Sequence, residues 1–249
     1  MPDVSWPPHW LGRFRAIVAD PPWRYEDHPP DADADLRYAT MPLCDIEALP
    51  VADLADPSGA HLYLWTTAPL LHEALHVLDA WGFRYKTALV WYKQRLGLGA
   101  YYRSETEYAL FGIRGALPIL CHDLSNVVSA PARRHSEKPD AAYRRFAAGS
   151  PGPRVDMFAR RGRDGWSVWG NEIPGGWADP DNPEPAAGPR QQSLFDLGSP
   201  GRTRALPLLA AAGAGAVFVT LAVAALARPG GCHIPPTVPG RMCYAGPAG

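Results

Sequence analysis

The tetrapeptide Asp20-Pro21-Pro22-Trp23 brings an acid, a rigid backbone and an aromatic ring together. Two successive prolines lack a backbone N–H and hold φ at about −65°, so they cannot continue a hydrogen-bonded ladder. They fix an extended loop with exposed carbonyls. Asp20 supplies an acceptor and Trp23 a flat face. Such a set suits a planar base that carries an exocyclic amine. The carboxylate and a proline carbonyl accept the amine's N–H groups, and the ring stacks on the base. Held this way, the nitrogen lone pair points at an electrophile. No proton has to leave first, so a weakly basic carboxylate suffices. The same four residues also read as a strand-end turn followed by a core tryptophan, and their surroundings decide between the two readings.

Asp20 ends a short apolar run, Arg15–Asp20 (RAIVAD), that reads as a buried strand. His61–Trp65 (HLYLW) reads as a second strand. Thr67 caps the helix expected next, with Pro69 in its first turn. Leu71, Leu75 and Leu78 recur at helical spacing, and Gly82 suits the stop. Phe83–Tyr92, Thr106–Ile113, Asn126–Ser129, Val155–Arg160 and Trp166–Trp169 complete the strands, and Pro139–Ala147 reads as a helix. Trp65, Trp81, Trp91 and Trp169 are expected in the core. Strands alternating with helices indicate an α/β domain with a largely parallel sheet. In such sheets ligands sit at the carboxyl ends of strands, where Asp20 falls.

The chain has 249 residues, a net charge of −1 and four Cys. Four Cys in this length are no disulfide scaffold, and Cys44 and Cys121 lack metal-ligand spacing, so neither an oxidised framework nor a zinc site is expected. A near-zero charge argues against a protein coated in nucleic acid over its whole surface. The total hides a polarity. Residues 1–60 hold 11 acids against four bases, and residues 133–163 hold nine bases against three acids. The basic run reads either as a solvated face or as an anion site.

Seven ordered pieces carry a resemblance. They are Ala16–Trp23; Arg37-Tyr38-Ala39-Thr40-Met41; Leu62–Thr66; Trp81-Gly82-Phe83 with Leu89–Lys93; Glu107–Leu110; Ser136–Pro139; and Met157–Arg160 with Gly165-Trp166 and Trp169–Glu172. In this order, over roughly Phe14 to Ile173, the chain resembles the adenine-N6 methyltransferase family marked by an Asp-Pro-Pro-Trp motif. That family contains the catalytic subunit of the eukaryotic messenger-RNA methyltransferase and many bacterial and phage members. The resemblance implies a Rossmann-like methyltransferase with permuted motif order, a mostly parallel sheet flanked by helices, and S-adenosylmethionine as cofactor. The amine-binding motif comes first and the cofactor elements later, so no glycine-rich loop follows the first strand. It also implies residue roles. Asp20, Pro21, Pro22 and Trp23 are catalytic. Asp20, Lys138, Arg160 and Asn171 bind the cofactor, with the Lys138 ammonium on the methionine carboxylate. Trp23, Tyr38 and Glu107 lie near the acceptor base. One departure is Arg161-Gly162-Arg163, which replaces a Pro-His-Asn run; Arg163 is the candidate substitute for the lost ribose contact.

The acceptor reading is an adenine amine in nucleic acid, with DNA favoured over RNA. An RNA enzyme and a catalytically silent nucleic-acid-binding member are the alternatives. Arg95, Tyr101, Tyr102 and Arg103 in the 94–104 segment form a strand-binding mix, and Arg103 is a candidate substrate contact. The 24–37 segment is acidic and ill suited to a phosphate backbone. The methyltransferase domain is expected over residues 1–177, in the cytoplasm, followed by a disordered Pro-rich linker over 178–204. Within the linker Gln191, Leu194 and Phe195 resemble a sliding-clamp-binding pentapeptide, which leans the reading towards DNA. Residues 205–227 run without a charge, long enough for a transmembrane helix that would attach the tail to a membrane. The same stretch also reads as an Ala-rich soluble helix or as an extension from an adjoining reading frame. Residues 228–249 form a disordered tail.

Overall fold

The computed structural model describes residues 4, 6–24, 40–97, 101–132 and 137–182. Tyr38, the 183–204 part of the expected linker with Gln191, Leu194 and Phe195, and the 205–227 and 228–249 segments lie outside the described residues. Among the described residues no helix is long and apolar enough to cross a membrane.

Among the described residues, eight strands form one sheet in the order β5-β3-β4-β2-β1-β6-β7-β8. They are β1 (Ala16–Ala19), β2 (Gly59–Thr66), β3 (Arg84–Tyr92), β4 (Thr106–Gly115), β5 (Val127–Ser129), β6 (Arg154–Met157), β7 (Ser167–Trp169) and β8 (Trp177–Ala178). The helices are α1 (Leu43–Glu47), α2 (Leu71–Ala80) and α3 (Asp140–Gly149). Four of the seven neighbouring pairs are parallel, and only β4 and β8 run against the rest. This is the α/β sheet expected from the strand–helix alternation, with one reversed strand set into its middle. Thr67 stands at the N-cap of a 3-10 turn, Ala68–Leu70, that leads into α2, and Gly82 follows the helix at φ +76°.

Strand geometry decides which side chains meet, because successive residues point to opposite faces. Ile17, Ala19, Leu62, Leu64, Val155 and Met157 join one buried cluster with Ala74, Val77 and Leu78 of α2. Val18, Tyr63, Trp65, Trp91, Ala109 and Phe111 join the other with Ala142, Tyr143 and Phe146 of α3. β1 and β2 are buried along their whole length, as a strand covered by helices on both faces must be. Trp65, Trp81, Trp91 and Trp169 are all buried, as expected.

Among the described residues, several members of the basic run form internal pairs, while Arg144 is exposed. Arg163 Nη1 donates to Asp140 at 2.6 Å, its Nε donates to Asp156 at 3.2 Å, and its guanidinium lies 3.4 Å from the centre of the Tyr143 ring. Arg161 also donates to Asp140. Arg154 donates to the carbonyls of Ala147 and Ser150, and Arg145 to that of Ser125. The substitute ribose role expected of Arg163 is not what its geometry favours, because its donors tie α3 to β6.

Ordered packing runs past Trp177. Asp179 is buried and pairs with Arg13, and it accepts from Trp10 Nε1 and Ser167 Oγ, each at 3.1 Å. Asp181 pairs with Arg13 at 2.6 Å. Gly170, just after β7, packs directly on Ala159, the second residue after β6. A Cβ added there would lie 2.1 Å from the Ala159 carbonyl oxygen and 2.8 Å from its nitrogen. Backbone cannot yield as a flexible side chain would. Gly170→Ala should therefore destabilise the fold by on the order of 3 kcal/mol, read as a lower urea midpoint with unchanged slope.

Candidate active site

Parity along the strands predetermines the site. β1 and β2 are paired with Ala19 opposite Leu64, so Asp20 falls level with Trp65 on the α3 face. On β4, Glu107 shares the face of Ala109, and Lys93 follows Trp91 by two residues at the end of β3. β1, β2 and β3 end at this edge of the sheet, and β4, running backwards, begins there. Lys138 arrives from the other side. It precedes Pro139, the N-cap of α3, and the proline holds it in extended backbone outside the helix.

These placements make a line of alternating charge. Lys138 Nζ lies 2.8 Å from Asp20 Oδ2 and 3.2 Å from Glu107 Oε2. Glu107 Oε1 lies 3.4 Å from Lys93 Nζ. The Lys138 ammonium also stands 5.5 Å from the centre of the Trp65 ring. Lys138 is only 8% exposed, a rare burial for lysine unless it is paired. Burial opposes its charge, yet Asp20 and Glu107 together hold it well above the usual lysine range. The Asp20 pKa is raised as well, which for a carboxylate disfavours the charged form. Burial raises its pKa, the nearby Glu107 adds to the rise, and attraction to Lys138 and Arg160 offsets part of it. Lys138 is thus the main group that opposes the effect of burial on Asp20.

The loop after Asp20 is rigid. The Pro21 carbonyl accepts from Trp23 N–H at 2.9 Å, closing a three-residue turn, and the Pro22 carbonyl accepts from Met41 N–H at 2.8 Å. Each carbonyl keeps a second lone pair. The Trp23 indole N–H donates to the Trp65 carbonyl at 2.9 Å, so its half-buried ring is anchored at one edge.

Arg160 and Asn171 come from the far side of β1. They follow β6 and β7, whose ends are joined by the Ala159 N–H to Trp169 carbonyl bond of 2.8 Å and the close packing of Gly170. Arg160 Nε lies 3.5 Å from Glu172, and Asn171 is exposed. Glu107 and Lys138 therefore flank Asp20 on one side, and Arg160 and Asn171 are carried on the other. Arg103 is exposed and caps the Gly97 carbonyl at 3.0 Å; it touches none of these groups.

Sequence reading missed Lys93 as a member of the charge line and treated Trp65 only as core. The signal for Lys93 is its two-residue spacing from buried Trp91. For Trp65 it is its register with Asp20.

Comparison with known proteins gives the same outline. The family described as MT-A70 matches residues 14–172. The chain is 30% identical over 184 residues to a type II methyltransferase, M.MunI, of a Mycoplasma species, covering 65% of this chain and 78% of that protein. It is 31% identical over 176 residues to a putative N(6)-adenosine-methyltransferase MT-A70-like protein of Medicago truncatula, covering 66% of this chain and 27% of that one. It is 28% identical over 197 residues to the human N(6)-adenosine-methyltransferase catalytic subunit METTL3, covering 70% of this chain and 32% of that one. The chain thus spans most of the bacterial relative and about a third or less of these two eukaryotic ones.

Removing the Lys138 charge tests the pairing. In Lys138→Met, Asp20 loses its main opposing charge, so its carboxyl titration, followed by carbon-13 NMR of labelled aspartate, should move further up. An unmoved titration would show that the two groups do not meet in solution.

Proposed function

The chain belongs to the MT-A70 family of methyltransferases, and we propose that it transfers a methyl group from S-adenosylmethionine to the N6 amine of adenine in DNA. The observation that carries this reading is the Asp20–Lys138 contact, which sets a half-buried carboxylate against a buried ammonium at the carboxyl edge of the sheet. The N6 position is supported by the printed names of the adenosine methyltransferases. DNA is supported by the likeness to a type II methyltransferase over most of that protein's length.

The chemistry of the side chains fits the cofactor. S-adenosylmethionine supplies an electrophilic methyl group when bound, and it presents an ammonium, a carboxylate and a ribose to the protein. An ammonium has three N–H donors. Lys138 spends one on Asp20 and one on Glu107, and the third serves a ligand carboxylate. Asp20 and Glu107 balance positive charge. Arg160 and Asn171 offer donors at the ends of β6 and β7.

The acceptor step falls to Asp20 and the loop that follows it. An adenine turned out of its stack places its N6 group against the Asp20 carboxylate and a free lone pair of a proline carbonyl. Both N–H groups are then held, and the nitrogen lone pair is directed away from the loop. Formation of the new N–C bond, with the cofactor's S–CH3 bond breaking and its neutral thioether leaving, would make N6 positive, and N6 would then lose a proton. Asp20, with its raised pKa, is the nearest group able to take it and pass it to water. Trp23, locked by its bond to the Trp65 carbonyl, holds one wall of the base site, with Tyr38 and Glu107 as further contacts. The catalytic unit is assigned to residues 1–177, extended through Asp181 by the Asp179 and Asp181 contacts.

Asp20→Asn should keep the fold, because Lys138 retains Glu107, and should lose about 10²–10³-fold in the rate of transfer from labelled cofactor. Full activity in this variant would overturn the mechanism. Lys138→Ala should weaken cofactor affinity at least about tenfold by calorimetry, the worth of one charge-assisted hydrogen bond; unchanged affinity refutes that role. Digestion of both nucleic acids to nucleosides after expression, followed by mass spectrometry, should find N6-methyldeoxyadenosine. N6-methyladenosine in RNA alone would give the RNA reading instead.

A further inference from the structure

Tyr101 and Tyr102 are the most exposed of the large apolar side chains described, at 97% and 93%. They stand side by side in the segment joining β3 to β4. The neck of this hairpin is closed. Lys93 N–H donates to the Glu105 carbonyl at 2.7 Å and Gly97 N–H to the Ser104 carbonyl at 2.8 Å. Arg103 Nε donates to the Gly97 carbonyl at 3.0 Å. A Cβ on Gly97 would lie 2.8 Å from the Ser104 oxygen, so glycine is what lets the two legs close. The closed neck thus carries two aromatic rings that stand in water.

Both legs of the hairpin are rooted in the charge line: one begins at Lys93 and the other runs into Glu107. The rings are therefore carried on a segment whose two ends meet the charge line. Arg95 and Arg103 flank them and are exposed. Aromatic faces beside guanidinium groups match the chemistry of an unpaired nucleic-acid strand, whose bases stack and whose phosphates are anionic. We propose that Tyr101 and Tyr102 stack on the bases next to the target in a single-stranded or locally opened stretch of DNA, with Arg95 and Arg103 meeting its phosphates. The proposal rests on the adenine reading of the Asp20 site. Every base has a face to stack on, so this contact holds the strand without reading its sequence. It supplies grip at the flanks while Asp20 and its loop select the target base.

The test uses the full chain, without cofactor, and a fluorescein-labelled oligothymidylate of about twelve nucleotides, within the usual site size for single strands. Fluorescence anisotropy should show the wild type binding at least about tenfold more tightly than Tyr101→Ala/Tyr102→Ala, with Tyr101→Phe/Tyr102→Phe restoring the affinity. An abasic strand of equal length keeps the phosphates but has nothing to stack. The wild type should bind it as weakly as the double alanine variant binds oligothymidylate. Arg103→Ala should lower the salt slope by about 0.7, the value for one single-strand phosphate. Equal affinity of wild type and double alanine variant would overturn the proposal. So would a changed sedimentation coefficient in that variant without a change in strand binding, which would assign the rings to a protein contact. The probe contains no adenine. A wild type that binds it through the tyrosines yet methylates no DNA would count against the adenine reading alone.

Discussion

One buried ammonium organises this end of the molecule. Left alone in an apolar site, the Lys138 amine would give up its proton, because burial disfavours the charge. Asp20 and Glu107 reverse that, and they can do so only from the same face of the sheet. β1 and β4 must therefore hold register with β2 to within a single residue, since a slip of one would send either carboxylate to the opposite face. α3 must begin where it does, because Pro139 and the first turn deliver Lys138 from above. A buried ion pair of this kind adds little net stability beside a well-packed apolar substitute. Its presence is better explained by what it keeps ready: a fixed positive donor and a carboxylate whose charge depends on that donor.

Much of this arrangement was legible in the chain because the central elements are apolar runs with clear period. RAIVAD, HLYLW, the Leu71–Leu78 spacing and the stretch after Pro139 each became an element within a few residues of its expected ends. Asp20 at a strand terminus followed from the prolines. Other features left no such trace. The backward direction of β4 is invisible to periodicity, since a strand reads the same either way, yet it is what brings Glu107 to the edge where Asp20 ends. α1 and β8 are too short to show a pattern. Arg161 and Arg163 looked like a cationic patch because their partners Asp140 and Asp156 are distant or unremarkable in sequence, and only the packing of α3 on β6 makes them neighbours. Asp179 was hidden in a stretch whose Pro and Asp content reads as linker, although it is buried and bonded to Trp10.

That last contact reaches beyond local packing. Arg13 and Trp10 near the start of the described fold, and Asp179 and Asp181 near its end, are held in one cluster, so the polypeptide of this unit closes on itself. β1, the first strand in the chain, lies between β2 and β6, in the heart of the sheet rather than at its margin. In a nearly closed loop, the point at which the chain is opened matters little to which strands are neighbours. The linear order of motifs along such a protein is then a free variable of its history, and the spatial order of strands is the quantity that physics conserves.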